Sequence, residues 1–303
     1  MNLRLGREPH VIPRGPAQRP MVVAHRGASW DVAEHTLAAY VAAIESGADA
    51  LECDVRLTRD GYLVCVHDRT VNRTSNGSGL VSEFDLARLA EMDFVSWRAE
   101  WPTSADQLLA DDPYLRGVVP DREPGGGVLT LATLLGLVHD ASRPIRLLIE
   151  TKHPTRYSGL VEQELVRQLA HFGWAGRPGS RRLADAPLTE PSTDRVDVMS
   201  FAPIALRRVR LLAPDVRTVL LLDRLLPRRR DGALPIGVRG AGPGLPLLQA
   251  SPGYVERAHA RGHLVYTWTV DDPSDMDFVI DLGVDAMITN RPTEVLRRLG
   301  PVV

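Results

Sequence analysis

Residues 50–68 read ALECDVRLTRDGYLVCVHD. The apolar run Ala50–Leu57 carries Glu52 and Asp54 two positions apart, so on a strand both carboxylates share one face and Cys53 points to the other. Thr58–Gly61 then turn the chain, and Leu63–His67 follows too soon for a crossover, which predicts a hairpin. Two like charges on one buried face repel and lose hydration. They become tolerable with a cation between them.

Outward from this stretch, short apolar runs alternate with amphipathic ones, the pattern of βαβ units and a parallel sheet. Further strands are expected at Met21–Arg26, Ile145–Thr151, Val196–Phe201, Thr218–Leu222, Leu264–Val270 and Ala286–Thr289. Helices are expected at Glu34–Glu45, Leu129–His139, Gly159–His171, Ile204–Leu212, Pro252–Arg261, Pro273–Leu282 and Thr293–Leu299. One more strand must lie within Ile236–Leu248, where glycines obscure it. The count predicts an α/β fold, a (β/α)8 barrel over residues 21–303, preceded by a loose arm at 1–20. Two loop-like insertions, Ser96–Gly127 and Gly173–Asp194, interrupt it. The first follows the hairpin, within an insertion of about 69–127, on the side where it would cover the active face. Trp97 and Trp101 within it mildly favour contact with a lipid or aromatic group.

With 303 residues and 44% hydrophobic content, the chain can bury a large core. Its 36 basic and 38 acidic residues nearly cancel, so nothing draws it to nucleic acid or an anionic membrane. Cys53 and Cys65 form no CxxC pair and read as buried thiols. The N-terminal residues have no apolar signal core, and no stretch approaches the roughly 20 apolar residues of a membrane helix. A cytoplasmic enzyme without a transmembrane segment is expected; the oligomeric state is not legible.

Other strand ends also hold ionisable residues where a core strand holds aliphatic ones. Val22–Gly27 ends in His25 and Arg26, and Leu147–Lys152 puts Glu150 and Lys152 on one face. Glu52, Asp54 and Glu150, with no sulfur ligand, suit Mg²⁺ or Ca²⁺ rather than zinc. The hairpin strand adds His67 and Asp68. A hard metal, two cations and two imidazoles fit cleavage of a phosphate ester. A single histidine at a strand end is more often structural, and no role is read for His139, His153, His171, His259 or His263. Convergence at successive strand ends, where barrel active sites lie, favours function. Lys152 is the only lysine among the 36 basic residues.

HisArgGly at 25–27, GluHisThr at 34–36, GluCysAsp at 52–54, ThrArgAspGly at 58–61, HisAsp at 67–68, GluThrLys at 150–152 and ThrTrpThrVal at 267–270 run in the order of the glycerophosphodiester phosphodiesterases, which the chain resembles from about residue 21 to 299. The resemblance implies a TIM barrel with a small insertion after the second strand. It implies Glu52, Asp54 and Glu150 as metal ligands and His25 and His67 as the acid–base pair. Arg26 and Lys152 would hold phosphate, Trp268 would line the substrate pocket and Glu34 would stand beside the site. A glycerol hydroxyl would attack phosphorus, with one histidine as base and the other protonating the departing alcohol. The products would be glycerol phosphate and an alcohol, from a small-molecule glycerophosphodiester. The family usually has Pro-Glu-Asn-Thr where this chain has Ala33–Thr36, so His35 replaces an asparagine that either orients the following helix or touches the metal ligands. A lysophospholipase D would use the same motifs with a greasier mouth, and a non-catalytic phosphate-binding barrel would lack one of these residues.

In a chain that otherwise writes its cations as arginine, Lys152 is expected to serve a lysine-specific purpose: a compact ammonium where a planar fork does not fit. Lys152→Arg is expected to lose about as much kcat/KM on a glycerophosphodiester as Lys152→Met. Near wild-type activity in the arginine variant would show that charge alone matters.

Overall fold

The structure, a computed structural model, describes residues 19–98, 126–176, 193–225 and 229–300. The expected arm, Trp101 and most of both insertions fall outside the described residues. The strands are β1 (Met21–His25), β2 (Ala50–Leu57), β3 (Leu63–Cys65), β4 (Arg146–Thr151), β5 (Val196–Ser200), β6 (Arg217–Leu222), β7 (Gly240–Pro243), β8 (Leu264–Thr267) and β9 (Ala286–Thr289). All except β3 are parallel, in the order β1-β2-β4-β5-β6-β7-β8-β9, and β9 pairs back onto β1 to close the barrel. β3 is the expected hairpin arm, antiparallel to the last residues of β2 through Val55↔Cys65 and Leu57↔Leu63.

Helices α1 (Leu37–Glu45), α3 (Leu131–His139), α4 (Leu160–His171), α5 (Pro203–Leu212), α7 (Tyr254–Ala260), α8 (Pro273–Asp281) and α9 (Pro292–Leu299) cover the outside, with short α2 (Leu86–Ala90) and α6 (Leu245–Ala250). Inside the ring Val23, Leu148, Met199, Val219, Leu221, Tyr266 and Ile288 pack on one another. Two larger clusters, built around Leu51, Leu134 and Leu165 and around Leu206, Leu248 and Val279, fill the space between strands and helices. A fourth, with Val64, Val71, Leu89 and Phe94, lies under the segment that follows β3.

The strand hidden by glycines is Gly240–Pro243. A Cβ on Gly242 would come within 2.5 Å of Leu221 and one on Gly240 within 3.1 Å of Val219. Both neighbours belong to the interior cluster, so the barrel is already full where β7 faces it, and the strand contributes backbone alone. The helix expected from Glu34 begins at Leu37 instead. Thr36 is its cap, accepting from the Ala39 amide, and the residue before it, His35, sits at φ 60° in the left-handed region. Helix α6 occupies a stretch for which no helix was expected.

At the N-terminal end of the barrel Asp197, fully buried, accepts from the Tyr266 hydroxyl at 2.9 Å and lies 3.3 Å from Arg217, with Arg146 at 3.9 Å. These charges close the bottom of the ring, at the opposite end from the C-terminal face on which barrels of this kind carry their catalytic loops.

The turn out of β1 depends on Gly27, at φ +89°, whose missing side chain lets α1 approach; a Cβ there would stand 2.7 Å from the Ala39 backbone. Gly27→Ala is expected to cost roughly 2–4 kcal/mol in urea unfolding, from strain plus overpacking. Gly61, at φ +91° with no atom within 4 Å of the place a Cβ would occupy, isolates the strain, and Gly61→Ala is expected to cost only about 1 kcal/mol. Equal losses would refute the packing role.

Candidate active site

The parallel register of β1, β2 and β4 sets His25 beside Glu52 and Asp54 beside Glu150 at the C-terminal mouth. Ligand oxygens of Glu52, Asp54 and Glu150 all lie within 4.8 Å of one another, and all three residues are buried. Lys152 Nζ sits 2.9 Å from Asp54 Oδ1 and 2.9 Å from Glu150 Oε2, a compact ammonium between two carboxylates. Arg26 Nε lies 3.1 Å from Asp54 Oδ2 but is not aligned as a hydrogen bond. Its backbone amide donates to Glu52 Oε2 and its Nη1 to Glu34 Oε1.

His25 and His67 both face a cavity of ≈ 150 Å³, with Arg26, Glu52, Glu150 and Lys152 on its ionic side. Met199, Phe201, Leu221, Trp268 and Ile288 make its apolar side, and Thr269 also lines it. Trp268 donates Nε1–H to the Gly242 carbonyl at 2.7 Å and meets Phe201 edge-on at 5.4 Å. His25 Nδ1 lies 2.7 Å from Asn290 Oδ1, and the Asn290 amide is oriented by donating Nδ2–H to Asp271 Oδ2. An acceptor therefore faces His25, so Nδ1 carries the hydrogen and Nε2, 3.9 Å from Glu52, keeps the lone pair of the neutral ring. His67 Nδ1 lies 2.7 Å from Asp68 Oδ1, which fixes the same tautomer there.

Electrostatics separate these groups. Burial and then the neighbouring Asp54 push Glu52 well up, and the same two causes raise Glu150 to about 7. Burial opposes the charge on Asp54 too, but Lys152, the His35 hydrogen bond and Arg26 outweigh it and hold Asp54 well below the usual carboxylate range. Burial, helped by Arg26, lowers His25 to about 3, and burial also lowers His67. An all-oxygen donor set with two carboxylates pushed toward neutrality by crowding suits a hard divalent cation, whose charge would restore their ionised forms.

His35 does not cap α1. Its Nε2 lies 2.9 Å from Asp54 Oδ2 and its Nδ1 2.8 Å from the Tyr40 hydroxyl, so the family asparagine position touches a carboxylate of the acidic cluster. Asn290, Asp271, Tyr40 and Arg73 escaped the sequence reading. Asn290 did carry a signal, a polar residue directly after an apolar strand; Arg73, in an irregular segment, carried none.

A closed parallel barrel with carboxylates, imidazoles and cations converging at its C-terminal mouth belongs to the class of TIM-barrel hydrolases acting on anionic esters. The sequence model of the Glycerophosphoryl diester phosphodiesterase family matches residues 25–294. A Mycobacterium tuberculosis protein named probable glycerophosphodiester phosphodiesterase 1 is 43% identical over 91% of both chains. The glycerophosphodiester phosphodiesterase of Bacillus subtilis is 31% identical over 90% of this chain and 84% of its own. Among solved structures, an Oleispira antarctica phosphodiesterase in complex with the product sn-glycerol-3-phosphate superposes with a TM-score of 0.69 at 22% identity, covering 93% and 97% of the two chains. The chain belongs to the glycerophosphoryl diester phosphodiesterase family. Among the described residues no helix is long and apolar enough to cross a membrane.

Burial opposes the charge of Glu34, but hydrogen bonds from Arg73 and the nearby Arg26 hold its pKa at about 2, against an ordinary 4.5. A depressed carboxylate stabilises the fold above its unfolded pKa, and that contribution is lost as pH falls from about 4.5 through about 2. Glu34→Gln is expected to be less stable than wild type by about 2 kcal/mol at neutral pH, with the gap closing below pH 4.5. Urea unfolding of both proteins across this range checks it; a gap independent of pH would sever Glu34 from acid stability.

Proposed function

We propose that the protein hydrolyses glycerophosphodiesters to glycerol 3-phosphate and an alcohol, using His25 and His67 as acid–base groups and Glu52, Asp54 and Glu150 to hold Mg²⁺ or Ca²⁺. The observation that carries this reading is the single cavity faced by both imidazoles, two of the carboxylates and the cations Arg26 and Lys152. When bound, the divalent cation supplies charge neutralisation and Lewis acidity at the phosphate. Arg26, whose buried Nε–H has no aligned acceptor, and Lys152 bind the anionic oxygens.

The partners of the histidines support a division of roles. His25 leans on a neutral amide and stays uncharged, so its Nε2 is the base that takes the proton of the attacking glycerol hydroxyl. His67 leans on the Asp68 carboxylate, which partly offsets the lowering by burial and steadies the imidazolium once Nε2 takes up a proton, so of the two rings it is the one better placed to give a proton to the departing alcohol oxygen. With the two roles reversed, His67 takes a proton from water as it attacks phosphorus, the newly formed bond from phosphorus to the glycerol oxygen breaks, and His25 returns the proton to that oxygen, releasing glycerol 3-phosphate. Trp268 lines the side of the cavity away from the charges, and Glu34 orients Arg26.

A second reading has support in Phe201, a cavity-lining ring that is 41% exposed. An apolar edge beside an ionic cavity would take lysophospholipids, with the acyl chain over Phe201.

A coupled assay for glycerol 3-phosphate, run on glycerophosphocholine and glycerophosphoethanolamine, tests the first reading, and release of choline from a lysophosphatidylcholine tests the second. Activity is expected to vanish with chelator and return with Mg²⁺ or Ca²⁺. Glu52→Gln is expected to lose at least roughly a hundredfold, and His25→Ala and His67→Ala roughly 10²–10⁴ in kcat with the fold retained. Full turnover after exhaustive chelation would remove the metal, and a His67 variant at the wild-type rate would make that residue structural.

A further inference from the structure

His67 lies beyond the end of β3, and its side chain is a third exposed, so neither strand pairing nor burial holds it over the cavity. Two things do. Its carbonyl accepts from Arg56 Nε and Nη2 at 3.0 and 2.7 Å, and its ring is tied to Asp68. Asp68 in turn is held by Arg73, through Nε to Oδ2 at 2.7 Å and Nη2 to Oδ1 at 3.3 Å. The other edge of the same guanidinium grips Glu34, through Nη1 to Oε2 and Nη2 to Oε1, both at 2.8 Å. Glu34 accepts from Arg26 Nη1 at 2.9 Å, and Arg26 reaches Asp54.

Polar contacts therefore run without a break from His67 through Asp68, Arg73, Glu34 and Arg26 to Asp54, with charges alternating from Asp68 onward. Arg73 is the only link in that chain that joins the segment after β3 to the turn after β1, and it does not line the cavity. Isolated exposed ion pairs add little, but forked contacts to two carboxylates, one of them only 12% exposed, form the network geometry that does matter. A lysine could not serve both partners, because the two forks use the planar spread of the guanidinium.

We propose that Arg73 is a positioning residue for the hydrolysis, setting the separation between the proton-donating His67–Asp68 pair and the phosphate-holding Arg26. The inference rests on the proposed roles of His67 and Arg26. A group displaced by about 1 Å from its reacting partner loses rate on the order of a hundredfold, so that is the scale expected when the clamp is cut.

The test measures kcat, KM and metal affinity for Arg73→Ala, Arg73→Lys and wild type at a temperature where circular dichroism shows all three folded. Arg73→Ala is expected to lose roughly a hundredfold in kcat. Its KM is expected to change far less and its metal affinity not at all, since Asp54 keeps Lys152 and His35. Millimolar guanidinium, far below denaturing levels, is expected to restore at least a tenth of the lost rate, because the Arg73 site is 42% exposed and open to a soluble cation. The same addition should do nothing for wild type or His67→Ala. Arg73→Lys is expected to recover little. If both Arg73 variants match wild type in kcat, or if guanidinium restores nothing to a slow Arg73→Ala, the positioning role is overturned. Should Arg73→Ala fail to fold, Arg73→Lys decides alone, its rate at the wild-type value being the refuting result. A wild-type protein that releases no glycerol 3-phosphate overturns the proposed function; an active wild type matched by its variants overturns only this inference.

Discussion

Asp54 is where the fold and the site are tied together. The carboxylate is 1% exposed, and Lys152, His35 and Arg26 approach its two oxygens at 2.9, 2.9 and 3.1 Å. An unpaired charge at that depth would cost several kcal/mol, so the three partners are a condition for folding as much as for chemistry. Each arrives by a different route: Lys152 just past β4, Arg26 just past β1, His35 from the turn before α1. Two of them, Arg26 and His35, stand in the left-handed backbone region, a conformation that costs energy for side-chain-bearing residues and persists only where surroundings enforce it. Asp54 is part of that enforcement, together with the bonds of the Arg26 amide to Glu52 and of the His35 amide to the Arg26 carbonyl.

The same crowding that makes Asp54 strongly acidic makes its neighbours reluctant to ionise. Glu52 and Glu150 share the remaining positive charge of Arg26 and Lys152, and burial weighs on both. The cluster is thus divided into one carboxylate committed to the protein's own cations and two that gain from an added one. At the bottom of the barrel a single buried carboxylate, Asp197, has two arginines and a tyrosine hydroxyl about it, and burial still raises its pKa above the ordinary carboxylate value. Three crowded carboxylates at one end and one lone carboxylate at the other give the barrel its functional polarity.

Most of this was legible because charges interrupt apolar strands. Glu52, Asp54, Glu150 and His25 stand out against Val, Leu and Ile, and the structure brings all of them to one mouth. β7 was obscure for a packing reason: Val219 and Leu221 already fill the interior, so the strand carries glycine instead of the aliphatic residues that announce a strand. The start of α1 was misread because periodicity continues backwards through Glu34, whereas the positive φ of His35 breaks the helix and leaves no mark in the pattern. The oxygen and amide groups behind the histidines were harder still. Asn290 reaches His25 through the closure of β9 onto β1, a contact between the two ends of the fold that local spacing does not encode.

The hairpin has a consequence for how molecules reach the site. β2 continues past Val55, its last pair with β4, through Arg56 and Leu57, and there only β3 flanks it, so the mouth carries a wall about two residues, roughly 7 Å, high on that side. Across the ring β7 is only four residues long, and beside it the Trp268 ring, which donates to the Gly242 carbonyl, meets Phe201 edge-on. A diester reaching this mouth thus meets a tall strand edge on one side and a pair of aromatic rings on the other.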